Sequence, residues 1–280
     1  MRLRTVDAFA ARPYTGNPAA VVLMDEDGLP DDSRLQAVAA ELNLSETAYA
    51  HPVPGDPEAD WALRWFTPTT EVDMCGHATL ATAHVLAEDG LLGEGERVRF
   101  RTRSGVLSAT REPDGTLTLD FPTARPAPVP VPDGVPQALG ADAVAAWGTG
   151  TLGMLVLELA DEQTLRELAP ESAAVAALPT PVVVVTAAAA PSSHATPGEP
   201  GHDFVSRVFA PSQGLPEDPV TGSAHTALAP LWSRRLGRDT LTGLQASRRT
   251  GYVRTTLRGD RTLLNGQAIT VLDAKLRTRL

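Results

Sequence analysis

Two segments far apart in the sequence share one design, in which a carboxylate-bearing loop turns through glycine into an alanine-rich helix. Residues 71–81 read EVDMCGHATLA, and residues 217–227 read EDPVTGSAHTA. The start of a helix has several unpaired backbone N–H groups and the positive end of the helix dipole, so each segment is a potential carboxylate-binding site. Two such starts facing one cleft would hold a small anion from both sides.

Three side chains near these segments could transfer protons. Glu46 follows Ser45 where a predicted helix ends and a strand begins, and a partly desolvated carboxylate there would suit an acid or base. His77 lies in the first turn of the first helix, where the dipole favours a neutral imidazole that donates without carrying charge. Asp218 precedes the second helix. The alternatives are a solvated glutamate, an ordinary helix-start histidine and a structural N-terminal carboxylate.

Composition limits the possible partners. The chain has 280 residues and a net charge of -10, which argues against a nucleic-acid surface or an anionic membrane surface. The longest apolar run, 182–190, is about half of the ~20 residues that span a bilayer, and the N-terminus lacks a signal-like apolar core. A single cysteine, Cys75, excludes an intramolecular disulfide and fits a reducing compartment. We therefore expect a cytoplasmic protein.

The sequence also argues against a cofactor. Lys275, the sixth residue from the end, is the only lysine and leaves little scope for a pyridoxal-phosphate Schiff base. Residues 148–153 read GTGTLG but open a predicted strand, whereas a dinucleotide-binding loop must follow a strand and open a helix. The histidines show no metal-ligand spacing. We predict that the protein works without a metal or a cofactor.

Hydrophobic patterns predict many strands and few helices. Residues 34–42 have apolar positions at helical spacing behind a capping segment at 31–33. Strands are predicted at 5–9, 19–24, 47–51, 61–66, 98–103, 106–110, 116–121, 152–158, 182–186, 204–209, 251–257 and 268–272. The proline-rich stretch 122–132 cannot join a central strand or a helix, so we interpret it as an extended connector between two domains. Both halves then follow one plan, with several strands around one alanine-rich helix.

Four groups of motifs together closely resemble the phenazine-biosynthesis PhzF-like family. They are DAF with TGNPAAVV at 7–9 and 15–22, LSET at 44–47, FTP with CGHAT at 66–68 and 75–79, and RVFAP with EDPVTGSA at 207–211 and 217–224. They occur in the family's order. In the phenazine enzyme the reaction is the isomerisation of a dihydro-hydroxyanthranilate through proton transfer between ring carbons.

The resemblance implies an α+β, diaminopimelate-epimerase-like fold with two similar domains, each a bent, barrel-like sheet around a central helix. We expect domains at 1–124, completed by residues 268–280, and at 125–267, with the active site in the cleft between them. It also implies a homodimer and no cofactor. The family's catalytic residues fall on Glu46, His77 and Asp218, and its substrate-binding positions fall on Ser45, Gly76, Gly222 and Ser223.

One departure concerns the thiol. Residues 74–77 also resemble the first catalytic cysteine motif of diaminopimelate epimerases and proline racemases, but Asp218 and Thr221 stand where those enzymes have the second cysteine motif. A two-thiol mechanism is therefore unavailable, although the helix start could lower the pKa of Cys75. We predict a cofactor-independent isomerase that moves a proton on a small carboxylate substrate. The alternatives are an epimerase or racemase that uses Glu46, and a non-catalytic small-carboxylate binding protein.

Overall fold

The computed structural model describes residues 2–25, 28–193 and 200–277. The chain divides into two compact units, Met1–Asp120 with Asn265–Leu280, and Phe121–Leu264. In chain order the elements are β1 Arg2–Ala8, β2 Asn17–Leu23, α1 Asp32–Leu42, β3 Glu46–Pro52, β4 Trp61–Phe66, β5 Glu71–Val72, α2 Gly76–Glu88, β6 Arg97–Thr102, β7 Gly105–Arg111, β8 Leu117–Pro122, β9 Ala127–Val129, α3 Val135–Leu139, β10 Ala145–Gly148, β11 Met154–Glu158, α4 Glu162–Glu167, α5 Ser172–Ala176, β12 Val182–Ala188, β13 Phe204–Ala210, β14 Leu215–Asp218, α6 Gly222–Leu236, β15 Thr240–Gln245, β16 Gly251–Arg258, β17 Arg261–Gly266 and β18 Ala268–Lys275.

The first unit is a sheet that packs around α2. Strand β18 pairs with β1, β1 with β2, and β2 runs parallel to β3. The ladder continues through β4, β6, β7 and β8. Helix α2 packs against β1, β2, β3, β7 and β18. Its residues from His77 to Ala83 are all buried, which explains why its sequence is apolar almost all round.

The second unit repeats this plan around α6. Its ladder runs from β9 through β10, β11, β12 and β13 to β15 and β16. Helix α6 packs on β15 and β16, and its Trp232 ring stacks on Phe204 with ring centres 5.8 Å apart. The Trp232 indole N–H donates to Thr186 at 3.0 Å. The α+β fold class is thereby confirmed.

Most of the predicted elements are present. The predicted helix at 34–42 is α1, and the three predicted strands at 98–103, 106–110 and 116–121 are β6, β7 and β8. The proline-rich connector also contains a short strand, β9, which is exposed and pairs with β10. Sequence patterns missed the strands β5, β10, β14, β15 and β17 and the short helices α3 and α5. None of the helices in the described ranges is long and apolar enough to cross a membrane.

Candidate active site

Glu46 is the first residue of β3. Helix α1 ends at Leu42, and Asn43 takes a left-handed conformation with φ 50°, which turns the chain toward the sheet. Glu46 then pairs with Ala19 of β2 in parallel register. Its side chain keeps 18% of its surface exposed, so the carboxylate lies at the edge of the core. Ser45, just before it, is partly buried.

His77, the second residue of α2, lies beside that carboxylate. Its Nε2 is 3.1 Å from Glu46 Oε2, and the histidine side chain is 7% exposed. The contact has the distance of an ion pair without the angular alignment of a hydrogen bond. The structure therefore brings together two of the three predicted catalytic residues.

The other ring nitrogen of His77 has two neighbours. Its Nδ1 is 3.2 Å from Nδ2 of Asn17 and 3.5 Å from Sγ of Cys75. Cys75 is the N-cap residue of α2, and its side chain makes no capping hydrogen bond. Helix α2 therefore starts without a capping bond from the side chain of its N-cap residue, and a helix start of this kind can bind an anion.

The charges in this cluster differ from the expectation of a neutral histidine and an acidified thiol. Burial raises the pKa of Cys75, and the nearby charge of Glu46 adds to this effect, so the group is a thiol at neutral pH. Burial lowers the pKa of His77, but its contacts with Cys75 and with the negatively charged Glu46 outweigh this effect, and the net pKa is well above the usual range. Because Cys75 is a thiol near neutrality, Glu46 is the charge that favours a protonated His77.

The same three side chains could in principle hold a metal ion. One ligand atom from each of Glu46, Cys75 and His77 lies within 4.8 Å of the others. However, the histidine contacts the carboxylate through Nε2 and the thiol through Nδ1. A zinc ion is bound at about 2.0–2.3 Å by one nitrogen of each histidine. The His77 ring would have to turn before one of its nitrogens could bind the same metal ion as the Glu46 carboxylate and the Cys75 thiol. The observed arrangement therefore suits proton exchange better than metal binding.

Asp218, the third predicted catalytic residue, lies in the second unit at the end of β14. The Thr221 hydroxyl donates to Asp218 Oδ2. Gln245, wholly buried at the end of β15, donates from Nε2 to the Asp218 carbonyl at 2.7 Å and accepts the Thr221 N–H at 2.8 Å. One amide thus holds both ends of the loop that carries Asp218.

Helix α6 begins at Gly222 and Ser223, two of the four positions predicted to bind substrate. Its N-cap residue, Thr221, makes no side-chain capping bond, because its hydroxyl is directed to Asp218. The Thr221 carbonyl accepts from Nδ1 of His225 at 2.9 Å. Like α2, α6 therefore starts without a capping bond from the side chain of its own N-cap residue.

Sequence reasoning missed Asn17 and Gln245 as parts of these clusters. Asn17 lies inside the motif at 15–22 that carries the family resemblance, but the motif did not indicate a role for its side chain. Gln245 ends a strand that the sequence did not predict, and no local pattern distinguishes it. The predicted cleft between the domains and the roles of the site residues stay predictions.

The fold is one shared with amino-acid epimerases. A solved structure of a hydroxyproline epimerase from Agrobacterium vitis matches with a TM-score of 0.62 over 98% of this chain and 91% of that one, at 15% identity. At this identity the likeness concerns the fold alone. It places the chain in the epimerase-like fold class.

The family is defined by closer similarities. The model of the phenazine biosynthesis-like protein family matches residues 6–274. An uncharacterized isomerase from Pseudomonas aeruginosa is 46% identical over 97% of this chain and 96% of its own length. The crystal structure of a PhzF-family protein from Enterococcus faecalis matches with a TM-score of 0.86, at 37% identity over 98% of this chain and 99% of that one. The chain belongs to the PhzF-like phenazine biosynthesis family.

Proposed function

We propose that the protein is a cofactor-independent isomerase that removes a proton from one carbon of a small carboxylate substrate and redelivers it to another. The coarser statement rests on the family: the chain is an isomerase of the PhzF-like family. The finer statement is supported by one observation above all, the 3.1 Å contact between Glu46 and His77 at the uncapped start of α2.

In this mechanism Glu46 takes the proton from carbon. The Glu46 side chain is 18% exposed and the His77 side chain only 7%, so Glu46 is the more accessible of the two to a substrate. A protonated His77 stabilises the ionised carboxylate before the reaction. N–H groups at the start of α2 would hold the substrate carboxylate and stabilise developing negative charge, and a preorganised donor of this kind contributes about 3–4 kcal/mol in a transition state.

Asp218 would orient the substrate or return the proton. Its position is defined by Thr221 and Gln245, and the adjacent α6 start offers the N–H groups of Gly222 and Ser223. That Asp218 acts on the same substrate as Glu46 is part of the proposal and follows from the family resemblance. The homodimer and the cytoplasmic location stay predictions.

The experiment uses Glu46→Gln, which removes the base and nearly preserves side-chain shape. A dihydro-hydroxyanthranilate is incubated with the protein in D₂O, and its carbon-bound deuterium and isomer composition are followed by NMR. We expect exchange with the wild type and a loss of about 10²- to 10⁴-fold in the variant, as is typical of a general acid or base. Unchanged exchange in a folded Glu46→Gln protein would refute the assigned role.

The products separate the alternative functions. An isomerase gives a product with a shifted hydrogen and rearranged double bonds, whereas an epimerase or racemase gives only inversion at one carbon. A binding protein would retain the compound without any exchange of carbon-bound hydrogen. Mass spectrometry of a ligand that copurifies with the protein would identify the substrate class directly.

A further inference from the structure

Asn17 holds a fixed place beside His77. It is the first residue of β2 and is wholly buried. The preceding Gly16 has φ 68°, and a Cβ at that position would lie 2.3 Å from the carbonyl oxygen of Ala8. Only glycine permits this close turn, so the backbone itself delivers the Asn17 amide to the start of α2.

The two nitrogens of the His77 ring face partners of opposite kinds. Nδ1 is 3.2 Å from the Asn17 amide nitrogen, which is a donor, and Nε2 is 3.1 Å from a carboxylate oxygen of Glu46, which is an acceptor. In a neutral ring with its proton on Nδ1, the Nδ1–H donor would face the N–H donor of Asn17, and the lone pair of Nε2 would face a lone pair of the Glu46 carboxylate. A ring with its proton on Nε2 suits both contacts.

We propose that Asn17 is a positioning residue that fixes neutral His77 as the Nε2–H tautomer, in which Nε2–H faces Glu46 and the lone pair of Nδ1 faces the Asn17 amide. In this tautomer the proton that charges the ring binds at Nδ1, beside Asn17. The tautomer is a property of the protein alone, and the value of an Nε2–H group beside Glu46 in the reaction rests on the proposed function. A second partner of a histidine commonly decides which nitrogen carries the proton.

An amide suits this position because it can serve either charge state of the ring. Toward neutral His77 it presents its N–H, and toward an imidazolium it can turn and present its oxygen to Nδ1–H. A carboxylate would serve only the imidazolium, and an apolar side chain would serve neither form. The titratable groups that face the ring are Glu46 of β3 at Nε2 and Cys75, the N-cap of α2, at Nδ1.

The test is a pH series of ¹⁵N NMR spectra on protein labelled at histidine, with the His77 signals identified by their absence in His77→Asn. The parent protein carries Cys75→Ser, which removes the thiol titration. It is compared with the same protein carrying in addition Asn17→Leu or Asn17→Asp. Asn17→Leu has the size of asparagine without its hydrogen bonds. Asn17→Asp replaces the donor by an acceptor.

We expect the neutral form of the parent protein to show a protonated Nε2 and a bare Nδ1. Asn17→Asp should raise the proton affinity of His77 by about tenfold or more, because a carboxylate then accepts from Nδ1–H. Asn17→Leu should give a mixture of the two tautomers. A proton on Nδ1 in the neutral parent protein would overturn the proposal, and so would identical tautomers and midpoints in all three proteins.

The parent spectrum alone can refute the inference if neither Asn17 variant folds. The measurement needs no substrate, so it can fail while Glu46→Gln still abolishes deuterium exchange. Conversely, the tautomer can be as proposed in a protein that does not turn over the dihydro-hydroxyanthranilate. The proposed tautomer and the proposed isomerase function can therefore be refuted independently.

Discussion

His225 should make the stability of the second unit depend on pH. It is wholly buried in α6, where Nδ1 donates to the Thr221 carbonyl at 2.9 Å and Nε2 has no hydrogen-bond partner among the described residues. A Cβ at Gly243 would lie only 3.0 Å from Nε2, and the Phe204 ring is centred 5.9 Å away. The hydrogen bond to the Thr221 carbonyl favours the charged ring, but burial outweighs it and lowers the pKa of His225 to about 4.

The size of the effect follows from the difference between the folded and unfolded pKa values. An unfolded histidine titrates near 6.5, so below that pH the unfolded chain binds a proton that the folded unit does not bind. The stability that comes from keeping His225 neutral is therefore fully present above about pH 6.5 and is lost as the pH falls toward 4. A difference of about 2.5 pKa units between the unfolded and folded states corresponds to about 3 kcal/mol of unfolding free energy. About 2 kcal/mol of this is lost between about pH 7 and about pH 4.5.

The perturbation is His225→Asn, which can still donate to the Thr221 carbonyl but cannot titrate. Free energies of unfolding are measured by denaturant titration across this pH range for both proteins. We expect the wild type to be more stable at neutral pH and to lose about 2 kcal/mol of that advantage on acidification. Parallel pH profiles would refute the reasoning, as would a His225 NMR titration midpoint near 6.5 in the folded protein.

Two further predictions concern Cys75 and the loop that carries Asp218. Cys75→Ser should retain most of the deuterium exchange that Glu46→Gln abolishes, because a buried, protonated thiol has no partner thiol on a second helix; an inactive Cys75→Ser beside an active Glu46→Gln would instead indicate a one-cysteine epimerase. Gln245→Met should cost about 2 kcal/mol or more of unfolding free energy, because it removes the hydrogen bonds that the buried Gln245 amide makes to the Thr221 N–H and to the Asp218 carbonyl. Gln245→Glu keeps the acceptor for Thr221 and should cost less, so equal losses in the two variants would contradict this account.

The sequence alone determined the parts of the protein that depend on local patterns. Alternating and apolar runs predicted most strands, helical spacing predicted α1, and the paired glycine-to-helix segments predicted α2 and α6. The motif order from residue 7 to residue 224 identified the family, which the comparisons confirm. These features can be predicted from the sequence because short stretches of chain determine where helices start, where turns form and how polar and apolar residues alternate along strands.

The tertiary structure decided the contacts that give these residues their chemical character. Glu46 and His77 are distant in sequence, and only the packing of β3 against α2 brings their atoms to 3.1 Å and reverses the expected neutrality of the histidine. Asn17 and Gln245 acquire their roles in the same way, through strand register and burial. A pKa and a tautomer depend on every charge and dipole around a group, and that set is assembled only when distant segments fold together.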